Sequence, residues 1–315
     1  TLSASTSVND ALSSTQGPWR EFQDDWTRLF ASLRAYGSTT TDPYEDSLVL
    51  GGPRTVGNTL IMDVAVPRQL PNVYWQAIAY DTYEDGGWRI DDTTETRLHF
   101  PDDGALDLPQ SWARDVVQQT VVNYLPNSSF IYAAPEVVET DRQMFVNSRR
   151  DDQDKELVSS VRSRYVLRKG DRYDVSSRVS IADAESLRSS STFYPDWVSE
   201  PYLQLPDSIT PETISLAEEL TAPHDTPFDK SIAVRDYLRN NITYNDQIDA
   251  PPEGAEPVHH TLFVTQEGYC NYYASAMTVM LRSQGVPARV VSGYAQGEYD
   301  EASQSYRVRA SNAHT

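Results

Sequence analysis

A single cysteine, Cys270, stands in 315 residues, so no disulfide can close within the chain and cysteine usage leaves the redox compartment open. Basic residues are scarce as well: 26 Lys and Arg face 46 Asp and Glu, for a net charge of −20. A surface of that sign repels nucleic-acid phosphates and anionic lipid headgroups, which argues against both as direct partners. Apolar runs stay well short of the roughly 18 residues a bilayer-crossing helix needs, so membrane attachment is expected only through segments outside this sequence. An initiator Met and a signal-peptide pattern are missing too, and a portion of a longer protein is expected. What the chain does have is 39% hydrophobic and 10% aromatic residues, enough to pack cores at a length that suggests two domains.

Residues 1–17 are Ser/Thr-rich and polar, a disordered lead-in. Over 18–44, Trp19, Phe22, Trp26, Leu29, Phe30 and Leu33 recur at spacings of three and four, which predicts a helix or stalk with one apolar face. Residues 45–190 read as a mainly β domain. Leu60 to Val66, Val73 to Tyr83, Trp88 to Ile90, Asp115 to Tyr124, Ser129 to Ala133 and Asp174 to Ile181 are rich in β-branched and aromatic residues. Asp85-Gly86-Gly87 marks a hairpin turn. The charged run Arg149 to Glu156 reads as a solvated loop, not a calcium site, because its oxygen ligands have no ordered spacing. A Pro- and aromatic-rich linker fills 191–206. An α+β unit follows over 207–315, with helix starts at Thr210-Pro211-Glu212 and Asp225-Thr226-Pro227. His259 and His260 are adjacent on a loop, where their side chains diverge, so they are assigned structural roles. No metal and no cofactor is expected.

Chemistry concentrates on Cys270. The run Asn271 to Gln284 has helix-forming composition and lacks Pro and Gly, and Gly285-Val286-Pro287 closes it. That places Cys270 at a helix N-terminus, where unpaired N–H groups and the helix dipole favour a thiolate. A strand follows over Ala288 to Tyr294, then a turn, a second strand over Tyr306 to Ala310, and Ser311-Asn312-Ala313-His314.

The string from Gly268 to Tyr294, with Asn312 to Thr315 after it, resembles the core of the transglutaminase-like superfamily. The resemblance implies a papain-like, cysteine-protease-type α+β core with Cys270 as nucleophile and His314 as base. It implies a third triad residue, Asp or Asn, on a strand beyond Thr315, so the core is expected to be C-terminally truncated and weak or inactive as it stands. Leu50-Gly51-Gly52 and the aromatic pattern from Tyr74 to Trp88 are similar to the β domain that precedes this core in bacterial multi-pass membrane proteins. An extracytoplasmic region of a bacterial inner-membrane protein is therefore implied. The loop Asn245 to Pro257 is expected near the cleft. Gln266, four residues before Cys270, is a tentative oxyanion donor beside the Cys270 N–H. Asn271 departs from the acidic residue that often follows the Cys in this family, which bears on substrate preference.

Two functions of different class follow from this reading. One is thiol-dependent acyl transfer, by transamidation or hydrolysis, on peptide or cell-wall amides through a thioester. The other is a non-catalytic envelope-binding or scaffolding module on the same fold.

Overall fold

The computed structural model describes residues 42–70 and 72–315. The expected lead-in over 1–17 and most of the helix or stalk over 18–44 lie outside the described residues. The last residues of that stretch are pinned to the sheets: Asp42 accepts from the Ser129 N–H and from Tyr132 Oη at 3.2 Å, and Tyr44 Oη donates to the Gly293 carbonyl.

The fold is mixed α+β, with strands dominating its N-terminal part, as the composition predicts. The strands of the described residues are, in chain order, β1 Ser47–Val49, β2 Leu60–Ala65, β3 Tyr74–Tyr80, β4 Thr82–Glu84, β5 Gly87–Arg89, β6 Glu95–His99, β7 Arg114–Asn123, β8 Asn127–Phe130, β9 Val137–Thr140, β10 Met144–Arg150, β11 Glu156–Arg168, β12 Arg172–Ser180, β13 Thr243–Tyr244, β14 Glu267–Gly268, β15 Val290–Ala295, β16 Glu298–Asp300, β17 Ser305–Arg309 and β18 Ala313–His314. One sheet has the order β16-β17-β2-β7-β12-β9 and a second β18-β15-β3-β11-β10-β6, with β8 also on β11. Both sheets draw strands from each end of the chain: β15 pairs antiparallel with β3 and β17 with β2. One apolar core accordingly joins Trp75 and Val121 to Tyr306 and Val308. The Trp75 and Tyr306 rings meet edge-on at 5.5 Å.

Period-two alternation is clear along β7, where Val117, Gln119, Val121 and Asn123 point inward. Two of these four are amides, and each is satisfied. Gln119 donates to Ser177 Oγ at 3.0 Å and accepts from the Ala134 N–H at 2.7 Å, while Asn123 donates to the Leu125 carbonyl at 2.9 Å. The β4–β5 hairpin turns through Asp85 at φ 51 and Gly86 at φ 71, the two positive angles of a type I′ turn.

The charged run Arg149 to Glu156 departs from the expected solvated loop. Its middle is a turn, with the Asp151 carboxylate accepting from Gln153 and Lys155 N–H at 2.8 and 2.7 Å. Its ends belong to β10 and β11. Glu156 is buried against Arg97 and Arg149 lies 3.7 Å from Asp81. Paired charges are admitted where lone ones are not. The 13-residue β11 escaped the sequence pattern because its inward positions include Ser159, Ser160 and Ser163, small polar residues that read as surface.

Among the described residues three longer helices stand beside the sheets: α1 Pro211–Thr221, α2 Pro227–Asn241 and α3 Cys270–Ser283. Thr210 and Thr226 cap the first two through Thr213 N–H at 3.3 Å and Asp229 N–H at 3.1 Å, each with Pro at the first helical position. The linker contains a short helix, Asp196–Tyr202, and Gln204 after it exchanges two 3.0 Å hydrogen bonds with the backbone of Tyr83. His259 and His260 lie in helical turns rather than on a loop, because the Glu256 carboxylate caps Val258 and His259. His259 Nδ1 meets the α1 cap Thr210 at 2.9 Å. Among the described residues no three His, Cys, Asp or Glu gather as a metal site, and no helix is long and apolar enough to cross a membrane.

Gly293 sits where β15 shifts register against β3, and a Cβ there would enter the Trp75 carbonyl and crowd the Ala77 N–H. Gly293→Ala is therefore expected to destabilise the fold by about 1–3 kcal/mol through overpacking, read as a lower urea midpoint. An unchanged midpoint would mean that the bulge relaxes freely.

Candidate active site

α3 opens without a side-chain cap: Tyr269 is extended at φ −108 and ψ −175, and Cys270 is the first helical residue. The first-turn N–H groups therefore keep their partial positive charge at the thiol. Gly285 at φ 72 ends the helix, with the Val286 N–H returning to the Leu281 carbonyl at 3.0 Å. This is the glycine-and-proline exit that the sequence predicts.

Cys270 is 2% exposed. Leu50, Ile248, Tyr269 and Tyr272 pack around it, so the loop after Tyr244 and the Leu50-Gly51-Gly52 segment both border the thiol. The segment is fastened from below: Tyr272 Oη donates to the Gly51 carbonyl at 2.6 Å and Tyr269 Oη to that of Gly52 at 3.3 Å. Burial pushes the Tyr272 phenol well above its ordinary range, so it remains a donor.

The sulfur has two polar contacts. Arg54 Nη1 donates to it at 3.1 Å, and the thiol reaches Asn271 Oδ1 at 3.5 Å. Arg54 is set by its backbone, whose N–H donates to the Asp246 carbonyl at 2.8 Å and whose carbonyl accepts from Gln247 Nε2 at 3.0 Å. Its guanidinium lies 5.1 Å from the centre of the Tyr269 ring, and Nη2 donates to Tyr244 Oη at 3.0 Å. Tyr244 is brought here by the parallel pairing of β13 with β14, Tyr244 opposite Gly268. Burial first, and then the neighbouring Cys270, raises the Tyr244 phenol above its usual range, while the Cys270 backbone N–H acts on the same oxygen in the opposite sense. The Tyr244 oxygen thus lies beside the sulfur, between the Arg54 guanidinium and the Cys270 N–H.

His314 lies on β18, opposite Gly293 of β15, and its ring stacks on Tyr74 at 5.8 Å and 14°. Its pKa is held below the ordinary imidazole value, first by burial and then by the charge of Arg54. Asn312 closes the turn before it by accepting from the Arg309 N–H at 2.8 Å. Thr315 Oγ1 donates to Asn271 Oδ1 at 2.9 Å and lies 3.1 Å from Ser292 Oγ. The thiol is therefore joined to the His314 strand through Asn271 and Thr315, and through the shared neighbour Arg54, not by a direct hydrogen bond to the imidazole.

Gln266 is placed differently from these residues. It is exposed, in left-handed backbone at φ 51, where its N–H caps Thr261 and its carbonyl accepts from Thr243 at 2.8 Å. The structure does not bring its amide to the sulfur. Arg54 and Tyr244 carried no chemical signal in the sequence. The nearest hints were Leu50-Gly51-Gly52, recognised only as a pattern, and the loop Asn245 to Pro257, expected near the cleft.

Residues 214–315 match the family model of the transglutaminase-like superfamily. A stretch of 123 residues is 46% identical to the protein YebA of Bacillus subtilis (strain 168), covering 37% of this chain and 17% of that one. A stretch of 112 residues is 38% identical to a protein-glutamine gamma-glutamyltransferase of Pseudomonas aeruginosa, covering 36% and 17%. The chain thus corresponds to under a fifth of either relative's length. The crystal structure of the periplasmic domain of TgpA from Pseudomonas aeruginosa superposes with a TM-score of 0.57 at 24% identity over 82% of each chain. The same domain bound to ethylmercury gives 0.58 at 24% identity over 86% and 89%. At that identity the likeness is one of fold.

Proposed function

For a chain whose residues 214–315 belong to the transglutaminase-like superfamily, we propose thiol-dependent acyl transfer on peptide or cell-envelope amides, by transamidation or hydrolysis. We place it in the extracytoplasmic region of a bacterial envelope protein, as its likeness to a periplasmic domain supports. The observation that carries the reading is the uncapped N-terminus of α3, with Cys270 and its N–H beside the Tyr244 hydroxyl and His314 on the adjoining strand.

In the proposed cycle, neutral His314 takes the thiol proton as sulfur attacks the amide carbon. The S–C bond forms and the carbonyl π pair moves to oxygen, which the Cys270 N–H and the Tyr244 hydroxyl receive. The carbonyl re-forms, the C–N bond breaks, and the amine departs with the proton from His314, leaving a thioester. An incoming amine or water gives a proton to His314 and attacks the thioester. The C–S bond then breaks and the sulfur recovers its proton from the imidazolium. Asn271 and Thr315 position the helix against the His314 strand.

Incubation of the full-length protein with a glutamine-containing peptide and hydroxylamine is expected to yield the peptide hydroxamate and, in acid-quenched samples, an acyl adduct on Cys270 by intact mass. Cys270→Ala should lose both. One feature favours a non-catalytic envelope-binding module instead, namely the near-complete burial of the thiol beneath Leu50 and Arg54. Saturable binding of the peptide without adduct or hydroxamate would select that reading.

A further inference from the structure

The mechanism above gives no part to Arg54, a fixed cation that touches the nucleophile. Arg54 arrives from the β1–β2 connection, far from the transglutaminase-like core in sequence. It donates from Nη1 to Cys270 Sγ at 3.1 Å and from Nη2 to Tyr244 Oη at 3.0 Å. The first contact is at the sulfur, where negative charge starts as the proton leaves, and the second is at the Tyr244 oxygen, whose hydroxyl is the donor proposed for the carbonyl oxygen. A guanidinium is planar and permanently charged, so one rigid group spans both.

We propose that Arg54 is a catalytic residue of this site, carrying the negative charge from sulfur to the carbonyl oxygen during attack on the amide. The role rests on the acyl-transfer reading. Arg54 exchanges no proton: the thiol proton goes to His314, the S–C bond forms, the C–N bond breaks, and His314 returns the proton to the amine. The guanidinium also has a defined effect on the imidazole. Its charge opposes protonation of His314, which makes the imidazolium a stronger acid toward the departing amine once the thiol proton has been taken. In the more familiar thiol–imidazole pair, the imidazolium itself balances the sulfur charge. Here Arg54 provides that balance and leaves His314 to move the proton.

The charged and titratable groups around the sulfur come from every element packed on it. They are Arg54 from the β1–β2 connection, Tyr244 at β13 with Asp246 after it, Tyr269 and Tyr272 at α3, and His314 on β18 with Tyr74 of β3 stacked on it. Tyr269 and Tyr272 spend their hydroxyl protons on the Gly51 and Gly52 carbonyls. Arg54 is the fixed cation of this set.

The test compares wild type, Arg54→Met and Arg54→Lys in the whole chain, with folding confirmed by thermal unfolding. Iodoacetamide alkylation of Cys270, followed by mass spectrometry across pH, should shift toward higher pH in Arg54→Met, because the cation that meets the sulfur is gone. Arg54→Lys should recover part of that shift. The His314 imidazole, followed by NMR, should titrate at higher pH in Arg54→Met because a repelling charge is gone. Hydroxamate formation should lose roughly 10²-fold or more in kcat, with KM changed much less. An alkylation profile with the same pH dependence in folded Arg54→Met would overturn the proposal. So would a uniform acceleration at all pH values, which would make Arg54 a cover over the thiol. If Arg54→Met does not fold, Arg54→Lys decides: a bidentate role predicts a shifted alkylation profile and reduced kcat, and wild-type values overturn it. Absence of hydroxamate in the full-length wild-type protein would fail the acyl-transfer reading separately, since the alkylation and NMR arms need no substrate.

Discussion

His314→Ala is expected to reduce hydroxamate formation by about 10²–10⁴-fold in kcat, the usual worth of a general base, with little change in KM. The same residue sets the acid limb of the pH profile. Burial and the Arg54 charge lower its pKa from the ordinary value of 6.5, so the neutral, proton-accepting form persists below the pH at which a free imidazole would charge. Activity should therefore hold through about pH 6.5 and decline only as pH drops through the lowered value. Stability carries the same signature. Above the unfolded-state value near 6.5, both states hold a neutral ring and nothing changes. Between that value and the lowered folded one, the unfolded chain binds the extra proton, so stability falls as pH drops through the window. His314→Ala should remove that part of the pH dependence, which urea unfolding at several pH values would show. A rate that tolerates the substitution, or an acid limb above the free-imidazole value, would remove His314 as the base.

The largest structural effect is expected at Arg282, in the last turn of α3. It is 3% exposed and gives each nitrogen to a different backbone carbonyl: Nε to Ala288 at 2.7 Å, Nη1 to Gln204 at 2.8 Å and Nη2 to Asp81 at 2.8 Å. These lie in the turn into β15, the linker and the β3–β4 junction. The guanidinium also lies 5.0 Å from the centre of the Trp88 ring. Burial pushes its pKa down to about 10, against the raising effect of Asp81, so it remains charged at neutral pH. Arg282→Met keeps much of the volume but leaves three carbonyls without their donor, at about 1–3 kcal/mol for each one that water does not reach. A loss of about 3–5 kcal/mol is expected, lowering the thermal midpoint by on the order of 10 °C. Arg282→Lys should recover only part, because one ammonium does not span three directions. A midpoint within about 2 °C of wild type for Arg282→Met would show that these carbonyls find other donors.

The charged hairpin from β10 to β11 shows where local reading fails. Arg149 and Glu156 are charged in sequence but paired in the fold, and the serines of β11 face inward. Hydrophobic periodicity cannot register a strand whose buried positions are small and polar. Asn271 shows what a local reading leaves out. In sequence it is a departure after the Cys that bears on substrate preference, whereas in the fold its amide oxygen stands between the thiol and Thr315.

What the sequence by itself determined is local. It sets Cys270 at the first position of α3, the exit of that helix at Gly285, the threonine caps before Pro211 and Pro227, and the Asp85-Gly86 turn. Each depends on the backbone preference of a few adjacent residues, which composition states directly. Only the tertiary structure decided that β3 pairs with β15 and β2 with β17, that Tyr244 reaches the Cys270 N–H, and that Arg54 meets the sulfur from 216 positions away. Those contacts join segments whose separation leaves no periodic trace. They arise because burying both sheets in one core brings the β1–β2 connection over the N-terminus of α3.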